Sequence, residues 1–249
     1  YGFGGTGSTL AKNELIAALS DPSFDVRHEA IRALGRLPVT PDTVRALESV
    51  LTYDGLTELQ YAALDSLGQL RAKSSADRIA LFLEDTNPLL RSRAARSLGD
   101  IRDPRHLPAV RTMLTDDEDA DCRLAAASAL GKYGDRDSIP ALVAIYCAQA
   151  EDIGMIGEPR SKVVLLAIAK ILKIEERFAR NWRREERLPG LSLPDLLSRV
   201  AKSLPGAGAA ERRANLIEQA ADLGTGSTQP SFAALQHLLP DIQASRHAD

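Results

Sequence analysis

Cysteine, histidine, aromatic residues, long apolar runs and any excess of one charge are all scarce in this chain of 249 residues. Each scarcity excludes something. Two cysteines cannot build a disulfide scaffold, and four scattered histidines without a CxxC pair give no structural zinc site. Lys and Arg number 31 against 34 Asp and Glu, so the chain lacks the basic footprint of a general nucleic-acid binder. The longest apolar stretches, IPALVAIYCA (139–148) and VVLLAIAKIL (163–172), are half of the roughly 20 residues that a membrane helix needs. No basic segment leads into an apolar one as in a signal peptide, and the sparse cysteine fits a cytoplasmic setting. Strand patterning is absent as well, since apolar–polar alternation never persists. An apolar content of 44% is nevertheless too high for a chain disordered throughout. The sequence starts at Tyr1 rather than Met, which reads as a piece of a longer protein.

What the chain does have is repetition. Leu34-Gly35, Leu67-Gly68, Leu98-Gly99 and Leu130-Gly131 recur with glycine spacings of 33, 31 and 32 residues. Four positions before each leucine lies Ala30, Ala63, Ala94 or Ala126, and eight before lies Val26, Leu59, Leu90 or Cys122. Steps of four and eight fall on one face of a helix. Asp21, Asp54, Asp85 and Asp117 each stand five residues ahead of that first apolar slot, and Arg27, Gln60, Arg91 and Arg123 follow it directly.

A second apolar-periodic segment precedes each aspartate: ELIAAL (14–19), VRALESVL (44–51), RIALFL (78–83) and AVRTML (109–114). Each unit therefore reads helix, turn, helix, glycine. Thr40-Pro41, Asn87-Pro88 and Asp103-Pro104 each set a capping side chain before a proline suited to a first helical turn. The Leu-Gly glycines mark second-helix ends, where a left-handed cap or close packing favours glycine. A fifth unit starts at Ile139-Pro140, passes a long turn near 150–160 and resumes with Val163, Ala167 and Ile171. Beyond it lie further helical stretches, with a capping-box pattern at Ser192 and Asp195, as expected of a terminal cap that covers the last unit's apolar flank. The expected organisation is a flexible Gly-rich leader (1–10), a repeat region (11–174) and a C-terminal helical cap (175–249).

The pattern D-x5-[RQ], with alanine at the helix centre and Leu-Gly at its end, resembles HEAT repeats, and the short period is similar to the phycobilisome-lyase-type subgroup. The resemblance covers about 14–174. It implies an all-α fold, an α-solenoid of about five helical hairpins, with second helices on the concave side. It also implies a hydrogen-bonded ladder between adjacent units, carried by Asp21, Asp54, Asp85 and Asp117 with Arg27, Gln60, Arg91 and Arg123.

No catalytic motif emerges. Gly2, Gly4 and Gly7 satisfy G-x-G-x-x-G in letters alone, because no strand precedes them. His28-Glu29 resembles the His-Glu motif of deoxyhypusine hydroxylase, a HEAT-repeat enzyme that holds two irons through several such pairs. The equivalent positions here are Tyr61-Ala62, Ser92-Arg93 and Leu124-Ala125, so no metal centre is expected. Cys122 and Cys147 read as small core hydrophobes, and His106, His237 and His247 have no neighbours at ligand spacing. No cofactor and no enzyme activity are expected; a phycobilin lyase-like enzyme is the enzymatic alternative, by resemblance alone.

Surface residues then carry the expected function. Arg32, Arg36, Tyr61, Arg93, Arg96 and Lys132 lie on second helices and form a candidate partner-binding set. Arg93 and Arg96 share a helix face and could offer a basic groove to an acidic or phosphorylated protein partner. The alternative is an ordinary solvated face paired with Glu29 and Asp65. DDEDAD (116–121) reads as a solvating loop or a docking patch. FARNWRREER (178–187) sets Phe178 and Trp182 on one face, for packing, partner contact or membrane-surface contact. The segment GGTGSTLAKNELIAALSDPSFDVRHEAI is also similar to cytoplasmic HEAT tails of bacterial major-facilitator-type transporters. That resemblance implies a regulatory tail at the cytoplasmic face of a membrane. The expected function is thus a non-catalytic protein-interaction scaffold, with no nucleic-acid partner and no membrane insertion by this segment itself.

Overall fold

Helix starts are where the sequence speaks most directly, and the computed structural model obeys them. The structure describes residues 4–52, 57–148 and 160–171, and no strand occurs among them. Thr40 Oγ1 accepts from the Thr43 amide at 3.2 Å, Asn87 Oδ1 from the Leu89 amide at 2.9 Å, and Asp103 Oδ1 from the Arg105 amide at 3.1 Å. In each case proline takes the first turn, where its missing N–H costs nothing.

The elements are α1 (Gly4–Ala18), α2 (Phe24–Leu34), α3 (Pro41–Val50), α4 (Thr57–Gln69), α5 (Ala76–Ala80), α6 (Pro88–Ile101), α7 (Leu107–Asp116), α8 (Ala120–Tyr133), α9 (Ile139–Ala148) and α10 (Arg160–Ile171). α5 tightens into a 3-10 segment, Leu81–Glu84, before the next turn. The architecture is an all-α solenoid of paired helices. α1 begins inside the stretch expected to be a leader: no proline interrupts 4–18, and a helix, once nucleated, extends through tolerable residues at one hydrogen bond each. The expected C-terminal cap, the capping box at Ser192, the long turn of unit five and FARNWRREER all fall outside the described residues.

Two compact units divide the chain, 1–129 and 130–249. In the first, the four- and eight-residue stripes are the core: Ala30, Leu34, Leu59, Ala63, Leu67, Leu90, Ala94, Leu98, Cys122 and Ala126 are buried. Val26 departs, at 43% exposure. Its slot is covered by the second helix of the preceding unit, as Cys122 shows by donating from Sγ to the Pro88 carbonyl at the start of α6 (3.0 Å). No described second helix precedes α2. In the second unit Leu130, Ile139, Leu142, Val143, Val164, Ala167, Ile168 and Ile171 are buried.

The Leu-Gly glycines serve close packing, not left-handed caps. Gly35 is right-handed, with φ −64°. A Cβ on Gly68 would lie 2.9 Å from Ser97 Cα, and one on Gly99 would lie 2.7 Å from Ala129 Cα. In the second unit, a Cβ on Gly131 would lie 2.8 Å from Ala167 Cα. Where serine faces the glycine it also bonds across: Ser66 Oγ donates to Ile31 O at 3.1 Å and Ser97 Oγ to Leu64 O at 2.8 Å.

The left-handed position comes three residues later. Arg71 (φ 51°), Arg102 (φ 59°) and Gly134 (φ 75°) hold it in successive units, and unit one has Pro38 there, whose ring forbids that conformation. A non-glycine residue in this region costs roughly 1–2 kcal/mol. Arg102 is exposed, and its hydrogen bond to Leu98 O is made by the backbone amide, so Arg102→Gly is expected to raise stability by about 1 kcal/mol, read as a higher urea midpoint at unchanged slope. A lower midpoint would show that the strain argument fails there.

Connector chemistry also repeats, with one omission. Asp103 and Asp135 are buried caps of the 3-10 turns Pro104–His106 and Arg136–Ser138, and Ser138 Oγ donates to Asp135 Oδ2. The corresponding turn, Lys73–Ser75, is preceded by Ala72, and Ser75 Oγ is buried with no hydrogen-bond partner among the described residues. Ala72 has φ −70° and ψ 84°, close to the −76° and 102° of Asp135. Ala72→Asp should therefore give Ser75 its acceptor and stabilise the chain by about 1 kcal/mol. A thermal melt checks this; a lower Tm would mean that burying the new carboxylate outweighs the bond.

Candidate functional site

Turn chemistry accounts for most of the aspartates and arginines expected to form a ladder. Asp21, Asp85 and Asp117 each accept from the amide two residues on, Ser23, Asn87 and Asp119, at 2.8, 2.8 and 2.9 Å. The following arginine closes the same turn through backbone carbonyls. Arg27 Nη1 donates to Asp21 O and Pro22 O, Arg91 Nη1 to Asp85 O and Thr86 O, and Arg123 Nη1 to Asp117 O and Glu118 O. Gln60 Nε2 donates to Leu51 O at 3.0 Å. A contact between adjacent repeats, both within 1–129, is made by Arg91, whose Nε and Nη2 reach both carboxylate oxygens of Asp117 at 3.0 Å each. Asp54 lies outside the described residues. Burial works to raise the Asp117 carboxyl, but the bonds from Arg91 and the Asp119 amide, with the charges of Arg91 and Arg123, leave it below its ordinary value.

The partner-binding set divides. Arg32, Arg36, Tyr61 and Arg93 line one groove of about 350 Å³ together with His28, Glu58, Ala62, Asp65, Ser66 and Gln69. Three successive second helices wall it: α2 gives His28 and Arg32, α4 gives the central wall, and α6 gives Arg93, while Arg36, expected on a second helix, lies in the turn just past the C-cap Gly35 that ends α2. Arg96 stands one turn beyond Arg93 and does not line the groove. Lys132 belongs to the other compact unit, 130–249.

Charges in the groove are partly matched. Arg93 Nη1 donates to Asp65 Oδ2 at 2.6 Å, and Arg32 lies 3.7 Å from Glu29. Those are the two carboxylates expected on a solvated face. Arg36 has no ion pair among the described residues and is exposed. Tyr61 Oη accepts from Asn87 Nδ2 at 3.1 Å, which leaves its own proton free to donate. Burial pushes the Asp65 carboxyl up, against the pull of Arg93 and Arg96. His28 stacks on Phe24 with ring centroids 6.1 Å apart, and its Nδ1 is 3.6 Å from Glu29.

Among the described residues, no three His, Cys, Asp or Glu side chains gather as a metal site would require. Cys122 is buried, and burial pushes its thiol up to about 12, so it remains protonated at neutral pH. His106 Nε2 lies 2.9 Å from Asp77 Oδ1, an exposed pairing between adjacent units that sequence spacing does not announce. Spacing also misses Asp65, Gln69 and His28 as groove residues, because their shared wall exists only once three helices are in register. Among the described residues no helix is long and apolar enough to cross a membrane.

Comparison with known proteins agrees with this geometry. The family model for HEAT repeats matches residues 13–81 and 76–153, more than half of the chain. Among solved structures, the complex of CpcE and CpcF of phycocyanin lyase from Nostoc is similar at 18% identity, covering 93% of this chain and 94% of that one, with a TM-score of 0.56. Human deoxyhypusine hydroxylase with glycerol is similar at 13% identity, covering 95% and 98%, with a TM-score of 0.47. An engineered protein is similar at 16% identity, covering 93% and 67%, with a TM-score of 0.48. No curated protein matches the chain. Identities this low speak to fold alone, but the repeat units themselves match in sequence, and the chain belongs to the HEAT-repeat family.

Proposed function

We propose that the chain is a non-catalytic scaffold that receives a protein partner in the groove between α2, α4 and α6. The observation that carries this reading is the groove itself, an open cavity walled by side chains from three successive second helices, with Arg36 left without an ion pair among the described residues. Packed helices hold those side chains in place before binding, so little entropy is lost in ordering the site. Arg93 and Tyr61 are fixed further, by Asp65 and Asn87. Mechanistically the chain displays a surface and breaks no bond. A home on a larger protein, such as a transporter tail, is compatible with this role and adds a tether to it.

Selection of random twelve-residue peptides tests the reading. Peptides retained by the chain should lose binding to Gln69→Trp, which fills the groove from an exposed position. If no selected peptide depends on the groove, the scaffold reading fails. The likeness over nearly the full length to the phycocyanin lyase complex keeps a phycobilin lyase-like enzyme as the second reading. Its test is direct: a lyase-like chain should shift the absorbance spectrum of an added bilin, and a scaffold should not.

A further inference from the structure

We propose that the groove takes an acidic, carboxylate-bearing segment of its partner, and that Asp65 is the chain's own stand-in for that ligand, occupying Arg93 until the segment arrives. The inference rests on the scaffold reading above and names its ligand chemistry. Three guanidiniums, Arg32, Arg36 and Arg93, line the groove against two carboxylates, Glu58 and Asp65. The lining thus carries one more guanidinium than carboxylate, and with Glu29 just outside it 3.7 Å from Arg32, the guanidinium left without an ion pair among the described residues is that of Arg36.

Arg93 shows what this wall accepts. Its Nη1 holds a carboxylate oxygen at 2.6 Å, within the range of a charge-assisted bond. That carboxylate comes from the adjacent helix and is held at a cost, since burial works against its charge. An incoming carboxylate can make the same bond, and Asp65 can turn toward Arg96, whose charge it already feels. Arg36 gives the segment its first contact, because its charge is exposed and unpaired among the described residues. Tyr61 Oη has a proton to donate to the same segment.

A doubly charged phosphate fits less well. Arg93 is already paired with Asp65 and Arg32 lies near Glu29, which leaves Arg36 alone of the three without an ion pair among the described residues, whereas a phosphate site gathers several such donors. Dispersed single charges match a run of carboxylates. Such contacts govern encounter and salt dependence more than they add raw affinity.

Fluorescence polarisation with fluorescein-labelled hexaglutamate tests the proposal at low salt. Wild-type chain should bind it and ignore hexalysine. Asp65→Asn should bind about tenfold more tightly, because the internal competitor is gone, and Arg36→Glu about tenfold less tightly, a step of roughly 1.4 kcal/mol. Asp65→Ser serves as the second variant if the asparagine protein does not fold. Equal affinity in Asp65→Asn and wild type overturns the stand-in role. Unchanged binding by Arg36→Glu, or displacement of hexaglutamate by inorganic phosphate more readily than by acetate, overturns the ligand assignment. Groove-dependent peptides that lack acidic residues would sink this inference and leave the scaffold standing. Absence of any groove-dependent peptide would sink both.

Discussion

Gly99→Ala should lower stability by about 2 kcal/mol, although the same change within an exposed helix raises it by nearly 1. The reversal follows from where the new Cβ must go. It would lie 2.7 Å from Ala129 Cα and 2.8 Å from Ala129 Cβ, and neither atom can swing aside as the end of a long side chain could. Two helices must separate, and overpacking of this kind costs roughly 1–3 kcal/mol. Separation also loosens the interface through which neighbouring units of a repeat protein stabilise one another. Ala129→Gly on top of Gly99→Ala removes one of the two clashing atoms and should recover part of the loss. Gly134→Ala is the control. Nothing lies within 4 Å of that site, and its φ of 75° makes the cost conformational, so Ala129→Gly should not relieve it. Urea titrations of the four variants separate these cases. A Gly99→Ala protein more stable than wild type would show that the helices do not need the glycine.

The same glycines show what a sequence makes legible. Their period fixes the number and order of units, and their identity allows either a left-handed cap or close packing. Letters alone do not choose between the two. The deciding partner, Ser97 for Gly68 or Ala129 for Gly99, sits one repeat away, and the small residue before each Leu-Gly pair is its trace in the sequence. Caps at Thr40, Asn87 and Asp103 are legible because each acceptor and its amide lie within three residues. Arg71 and Arg102 are not, since arginine has no preference for the left-handed region and only Gly134 hints at it. The groove occupies a middle position. Its arginines stand out as charges on second helices, whereas Asp65 reads as a neutralising neighbour, and its depth depends on packing among α2, α4 and α6.

Arg91→Ala is expected to be costlier still, at about 3–5 kcal/mol. Arg91 and Asp117 keep side-chain exposures of 10% and 6%, so the substitution leaves a carboxylate in a site from which water is largely excluded. It also removes the donor shared by Asp85 O and Thr86 O. Arg91→Lys should recover little, because an ammonium cannot span both carboxylate oxygens and the two carbonyls as the guanidinium does. Asp117→Asn in the Arg91→Ala background should recover more, since it removes the stranded charge. The pH dependence has a definite sign. The folded protein holds Asp117 below the ordinary carboxylate value, so the stability from the pair is present above that value. It is lost as pH falls through the folded value, where the unfolded chain already binds the proton. The gap in urea midpoint between wild type and Arg91→Ala should therefore be widest near neutrality and should close below about pH 4. A gap that is absent at pH 7, or that does not change on acidification, would mean that Arg91 acts through its aliphatic stem and the turn carbonyls, and that the charge pair between units contributes nothing.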